Sequence, residues 1–195
     1  MIFTPKLPLV SENGICVADY GPANPIGPTA YFFADVLDEL IFHAQKHEAR
    51  GILLGGAFLL PETAEENIAN AQKTNSFPIG LTDPDYLEIT AFRDIYPTDN
   101  AMDYAGYLRR IRDFKASRDK LLVLGQVILS PEPKNPMLED LMLQRTYFGY
   151  PWQMTVFISA SHTRPKVFML NEANEDWYET GFKLVYSEAA PMTLT

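Results

Sequence analysis

The run Leu121-Leu122-Val123-Leu124-Gly125-Gln126-Val127-Ile128-Leu129-Ser130-Pro131 decides how the rest of the chain is interpreted. Most of its residues are apolar, and a nearly continuous apolar run is typical of a strand that is buried on both faces of a sheet. The pattern ends at Pro131, because proline supplies no backbone N–H for a sheet. The sequence therefore predicts a central strand over 121–129.

A second apolar run, over 51–60, predicts another buried strand, and alternating patterns predict strands over 86–92, 153–159, 166–170 and 182–186. The segment 160–165 suits a hairpin between the strands predicted over 153–159 and 166–170. Apolar residues at helical spacing predict helices over 29–47 and 99–120. A third helix is predicted from 136, with Asn135 as its cap and Leu138, Leu141, Met142 and Arg145 facing inward. Residues 61–80 are polar and predict a long loop, or a loop with one helical turn.

Composition limits the classes of function. The chain has 195 residues, enough for one domain with a substantial core, and a loop-rich lead-in over 1–28 precedes the predicted domain over 29–190. A net charge of −9 argues against nucleic acid and against an anionic membrane surface as partners. Cys16 is the only cysteine, and no apolar run approaches the roughly 18 residues that span a bilayer. These features predict a cytoplasmic protein.

Three motifs occur in a recognisable order. Glu48-Ala49-Arg50-Gly51-Ile52-Leu53-Leu54-Gly55 joins a predicted helix to a strand, the central strand follows, and Tyr147-Phe148-Gly149-Tyr150-Pro151-Trp152-Gln153 leads into a later strand. Over residues 29–170 this order resembles the MPN (JAB/JAMM) domain family. The resemblance implies a single α/β domain, with a mixed sheet flanked by three helices.

The zinc peptidases of that family use two histidines, an aspartate and a glutamate base. At the matching positions this chain has Glu48 for the base, Ile128 and Ser130 for the histidines, and Asp140 near the aspartate. Neither isoleucine nor serine can replace an imidazole as a zinc ligand. We therefore predict no catalytic residue, no metal and no cofactor, with these four positions as vestiges of the family's site. Glu48 could also pair with Arg50 or Lys46, and an acidic residue in the first turn of a helix, such as Asp140, is favoured without any metal.

The resemblance implies a non-catalytic assembly or recognition subunit, whose partner could be another MPN-like subunit, a ubiquitin-like protein or a second copy of the chain. Candidate contact residues are the aromatic cluster and the stiff loop before it: Tyr147, Phe148, Tyr150, Trp152, Pro131 and Pro133. Exposed aromatic residues are typical interface anchors, although the same residues could belong to the core. The alternative is a peptidase-type hydrolase with a site of Glu48, Ser130 and Asp140, joined by His162. A pair of histidines, His43 and His47, stands at helical i, i+4 spacing and is predicted to be exposed on a helix surface.

Overall fold

A computed structural model describes residues 4–6, 17–22, 27–74, 83–97, 106–107, 109, 111–113, 121–161, 164–171 and 176–186. The strands are β1 (Thr4–Pro5), β2 (Val17–Tyr20), β3 (Thr29–Phe33), β4 (Ala49–Leu59), β5 (Tyr86–Pro97), β6 (Leu122–Ser130), β7 (Met154–Ser159), β8 (Lys166–Leu170), β9 (Trp177–Thr180) and β10 (Phe182–Val185). The helices are α1 (Ala34–Ala44), α2 (Pro61–Thr74) and α3 (Leu138–Tyr147), and residues 106–107, 109 and 111–113 are also helical.

One mixed sheet contains all of these strands. Nine of them follow the order β2-β10-β3-β5-β4-β6-β7-β8-β9, and β1 pairs in parallel with the end of β4 beside this path. The central β4 is antiparallel to both β5 and β6, while β6 and β7 are parallel and are joined through α3. The predicted mixed α/β architecture is confirmed, as is the β7–β8 hairpin. None of the described helices is long and apolar enough to cross a membrane.

Helices cover both faces of the central strands. Leu53 of β4 packs with α1, whereas its neighbours Ile52 and Leu54 point to the opposite face and pack with Tyr107 and α3 residues such as Leu143. Both clusters consist of residues with 7% or less of their surface exposed, which explains why β4 and β6 read as nearly continuous apolar runs. The predicted bounds of these two strands are within two residues of those observed.

The helix predictions need three corrections. Residues 29–33 form β3 rather than the first turns of a helix, because this segment pairs in parallel with both β10 and β5. Residues 61–74 form α2 rather than a loop; the segment is mostly polar, which favoured the loop prediction, and Ala64 is buried within its described part. The count of three helices was therefore too low.

The third correction concerns α3, which begins at Leu138 with Met137, not Asn135, as its cap residue. Leu138 and Met142, which were predicted to face inward, are 70% and 58% exposed. The buried positions are Asp140, Leu143 and Gln144. The buried face of α3 differs from the predicted one because the side chains of Asp140 and Gln144, rather than those of Leu138 and Met142, face the sheet.

Two described parts of the lead-in belong to the sheet. Besides the pairing of β1 with β4, β2 pairs antiparallel with β10. Lys6 then anchors the chain, because its Nζ lies 2.9 Å from a carboxylate oxygen of the buried Glu88 and 4.7 Å from the centroid of the Phe58 ring. The Tyr86 hydroxyl also donates to the backbone oxygen of Lys6 at 2.7 Å.

Gly125 allows β6 to change register against β4. Leu53 pairs with Gly125 and the next residue, Leu54, pairs with Val123, so one residue of β6 is bulged out. Gly125 has a φ of +154°, and a Cβ atom built on it would lie 1.9 Å from the backbone oxygen of Met154. Only glycine fits there without a shift of the neighbouring strand.

Candidate functional site

The structure places Glu48, Ile128, Ser130 and Asp140 near one end of β4 and β6. Ile128 lies on β6 opposite Arg50 of β4, Ser130 ends β6, and Asp140 approaches from the first turn of α3. Glu48 immediately precedes β4. Arg50, which was considered above only as a partner of Glu48, lies among them and contacts Asp140.

Asp140 is the best-defined member of this group. It is 1% exposed, its Oδ1 accepts a hydrogen bond from Nη2 of Arg50, and its Oδ2 accepts the backbone N–H of Met137 at 3.0 Å. The Arg50 side chain is itself 12% exposed. Both carboxylate oxygens of Asp140 are thus engaged, one by a cation of the same chain and one by the start of its own helix.

Glu48 also has a cation beside it. Its Oε2 accepts a hydrogen bond from Nζ of Lys134, which belongs to the loop after β6. The predicted partners, Arg50 and Lys46, were wrong, because Arg50 turns toward Asp140 and the ammonium group of Lys46 lies 3.9 Å from the centroid of the Phe42 ring. The two side chains of the Glu48–Lys134 pair are 41% and 34% exposed, so the pair lies at the surface.

Ser130 is 2% exposed, and its Oγ accepts the backbone N–H of Glu132 at 3.3 Å. It stands beside Ser159 of β7 in the sheet register. His162, the imidazole of the alternative hydrolase site, lies outside the described residues. Of the other histidines, His43 packs 5.8 Å from the Phe92 ring, and His47 lies beyond the end of α1, so the predicted i, i+4 pair on one helix does not form.

Gln126 of β6 belongs to a buried polar network. Its Nε2 donates to Oγ1 of Thr155 at 3.0 Å, and the Thr155 hydroxyl donates to Oε1 of Gln144. The same Gln144 oxygen accepts Nε1–H of Trp177 at 2.9 Å, and Nε2 of Gln144 donates to the backbone oxygen of Gln153 at 2.8 Å. The network fastens α3 to β6, β7 and β9. Sequence reasoning missed it because these polar residues carry no helical or strand periodicity of their own.

Two buried polar atoms in this layer have no hydrogen-bond partner within the described part of the chain, Nη1 of Arg50 and Oε1 of Gln126. Arg50 and Gln126 lie on the same face of the sheet, two register positions apart across β4 and β6.

The predicted contact residues divide into two groups. Phe148 is fully buried among the residues that pack beneath α3, and Trp152 is 3% exposed within the cluster on the α1 face. The prediction that these two side chains contact a partner is corrected, because neither reaches the surface. Tyr150 is 47% exposed and stacks on Trp152 with a centroid distance of 5.3 Å.

The other members of the predicted set stay accessible to different degrees. Pro133 is exposed, whereas Tyr147 and Pro131 are partly buried. Among the residues described by the structure, no group of three or more histidine, cysteine, aspartate or glutamate side chains is arranged to hold a metal ion. The acidic residues that the sequence singled out, Glu48 and Asp140, are each paired with a cation instead.

No protein-family model matches this sequence, and no curated protein sequence matches it. Among solved structures, the chain is similar to the solution structure of a protein from Salinibacter ruber (strain DSM 13855). The two share 18% identity with a TM-score of 0.44, over 83% of this chain and 95% of that one. We infer nothing about activity from a likeness of this strength.

Proposed function

We propose that the chain is an MPN-like domain that has no peptidase activity and works in the cytoplasm as an assembly or recognition subunit of a protein complex. The observation that carries the proposal is the ion pair between Arg50 and Asp140. The guanidinium group of Arg50 is bound to Asp140, the carboxylate that would be a metal ligand according to the family resemblance.

The pair has a direct chemical consequence. A divalent cation needs Asp140 as a free ligand, and its charge would be repelled by the neighbouring guanidinium group of Arg50. Ile128 offers no donor atom, and the buried Ser130 hydroxyl is a poor zinc ligand. The remaining acid, Glu48, is engaged by Lys134 and has no metal-bound water to activate. These residues support a structural use of the former site.

The surface beside α3 supports a role in binding. Met137, Leu138 and Met142 lie at the start of α3 and one turn further on, and 53–70% of the surface of these large apolar side chains is exposed. Adjacent exposed apolar groups of this kind are a mark of protein–protein contact surfaces, in which methionine is enriched. We propose this surface as the contact for another MPN-like subunit, a ubiquitin-like protein or a second copy of the chain.

The first experiment isolates the protein from its native host by size-exclusion chromatography with light scattering, and measures zinc in the same peak. We expect a metal-free peak that carries stoichiometric partner chains. A monomeric peak with one zinc per chain, or a peptide hydrolysis that is lost in Asp140→Ala, would overturn the proposal.

A second experiment tests the family geometry itself. The triple variant Arg50→Ala/Ile128→His/Ser130→His restores two imidazoles and frees Asp140, which together supply the three protein ligands of a catalytic-type zinc site. We expect it to bind one zinc ion in calorimetric titration, with Arg50→Ala alone as the matched control that binds none. A folded triple variant with no affinity for zinc would show that Ile128, Ser130 and Asp140 do not have the family's arrangement.

A further inference from the structure

A hollow opens where the parallel strands β6 and β7 end. The two strands finish side by side at Ser130 and Ser159, and the backbone N–H of Ala160 donates to the Ser130 oxygen at 3.0 Å. The chain then leaves each strand along a different path, and an open hollow lies between Lys134 of the loop after β6 and Arg164 and Lys166 beyond the end of β7. Crevices beyond the carboxyl ends of parallel strands are frequent ligand sites.

The walls of this hollow carry one sign of charge. Lys134 comes from the loop after β6, while Arg164 and Lys166 come from the turn and strand after β7. Its floor is apolar, formed by Ile128 and Phe157, each 5% exposed. We call the feature the cationic hollow, defined by Lys134, Arg164, Lys166, Ile128, Phe157 and Ser159. No carboxylate lines it among the described residues.

This charge runs against that of the chain as a whole, which is −9. Arg164 and Lys166, with Lys134 beside its partner Glu48, place positive charge over a floor of low polarity, and such a potential raises the local concentration of anionic ligands. Arginine adds geometric selectivity, because its guanidinium group can donate two parallel hydrogen bonds to one carboxylate.

The cations are available to a ligand. The Lys134–Glu48 pair lies at the surface, and exposed ion pairs contribute little to stability, so a ligand carboxylate can replace Glu48 at little cost. Nζ of Lys166 lies 3.4 Å from Oδ1 of Asn135, a long hydrogen bond to a neutral group. Arg164 is exposed.

We propose that the cationic hollow binds an acidic peptide segment of a partner protein. The loop that carries Lys134 continues directly into Met137 and Leu138, which are 53% and 70% exposed. A cation that can bind an acidic side chain and apolar residues that can bind an apolar one therefore lie next to each other along the chain. A segment in which glutamate or aspartate alternates with large apolar residues matches both. This inference rests on the proposed function, since it names the chemistry of the partner that the domain would recognise.

The test is fluorescence anisotropy with the full chain and a labelled peptide of alternating glutamate and leucine. A peptide with glutamine in place of each glutamate serves as the ligand control. Arg164→Glu is the site variant, and Lys46→Glu is its matched control, because it makes the same change in net charge on an exposed lysine at the end of α1. We expect the acidic peptide to bind at least about tenfold more weakly to Arg164→Glu than to the wild type, and equally well to the wild type and Lys46→Glu.

Raising the salt concentration should also weaken binding, since the charges are near the surface. Equal binding of the glutamate and glutamine peptides, or equal losses in the two variants, would refute the inference. Inorganic phosphate is the second probe. If phosphate alone binds in an Arg164-dependent manner while the peptide does not, the hollow is a small-anion site and the inference is wrong.

These outcomes are separable from those of the proposed function. If wild-type chain purifies with its partner and Arg164→Glu retains that partner, the acidic-segment inference fails while the assembly role stands. If the wild-type chain purifies with bound zinc and hydrolyses peptides, the assembly role fails whatever the peptide titration shows.

Discussion

Replacing Asp140 with asparagine measures what the Arg50–Asp140 pair contributes to stability. The amide oxygen can still accept the Met137 N–H, so the helix cap is kept while the charge is removed. The two side chains are 2% and 12% exposed, and solvent can do little to screen the guanidinium that is left behind. Removing one partner of a buried pair costs about 3–5 kcal/mol, a large share of the roughly 5–15 kcal/mol that stabilises a domain.

The assay is urea denaturation of four proteins: the wild type, Asp140→Asn, Arg50→Met and the double variant. Because the double variant buries no uncompensated charge, we expect it to be more stable than the sum of the single losses predicts, with a coupling energy of about 1–3 kcal/mol. Glu139→Gln is the control, since Glu139 is an exposed acid in the same helical turn whose loss should cost less than about 1 kcal/mol. A loss in Asp140→Asn no larger than that of the control, together with zero coupling, would refute the role assigned to the pair.

Three further changes test other parts of the fold by the same denaturation assay. Gly125→Ala should lower the free energy of unfolding by more than about 2 kcal/mol, because it adds a Cβ at a strained φ and against the Met154 backbone; an unchanged midpoint would contradict the bulge described for β6. Lys6→Met should lower the free energy of unfolding by about 2 kcal/mol, because it leaves the buried Glu88 without its cation. A smaller loss in high salt than in low salt would show that the loss is electrostatic. Trp152→Ala should cost about 3–5 kcal/mol and Tyr150→Ala about 1 kcal/mol; the reverse order would mean that Trp152 is not in the core.

Strands buried on both faces were the part of the fold that the sequence predicted best. In β4 and β6, most positions are apolar or small, with Arg50 and Gln126 as the exceptions, so each strand appears directly as an apolar run. β3 could not be found this way, because its apolar residues continue the spacing of α1 and its partners β5 and β10 are distant in the chain. Helix α2 escaped prediction for the opposite reason, since a mostly exposed helix needs few apolar residues.

The candidate site shows the same limit. The sequence placed Asp140 correctly in the first turn of a helix and Ile128 and Ser130 at the end of a strand. It could not assign the ion pairs, because Arg50 meets Asp140 across 90 residues of chain and Lys134 meets Glu48 across 86. Nearness in the sequence suggested Glu48 as the partner of Arg50. In the structure Arg50 lies opposite Ile128 in the sheet, and its partner is Asp140.

The position of β10 between β2 and β3 has a consequence for synthesis on the ribosome. One edge of β3 is completed only by Phe182–Val185, although β3 itself ends at Phe33. At roughly 5–20 residues per second, translation takes about 7–30 s to cover that interval. Throughout it, the nascent chain presents an unpaired row of backbone donors and acceptors on β3, and such an edge is a template for association with other chains. Chaperone occupancy of emerging chains should therefore persist until the last strand has left the exit tunnel.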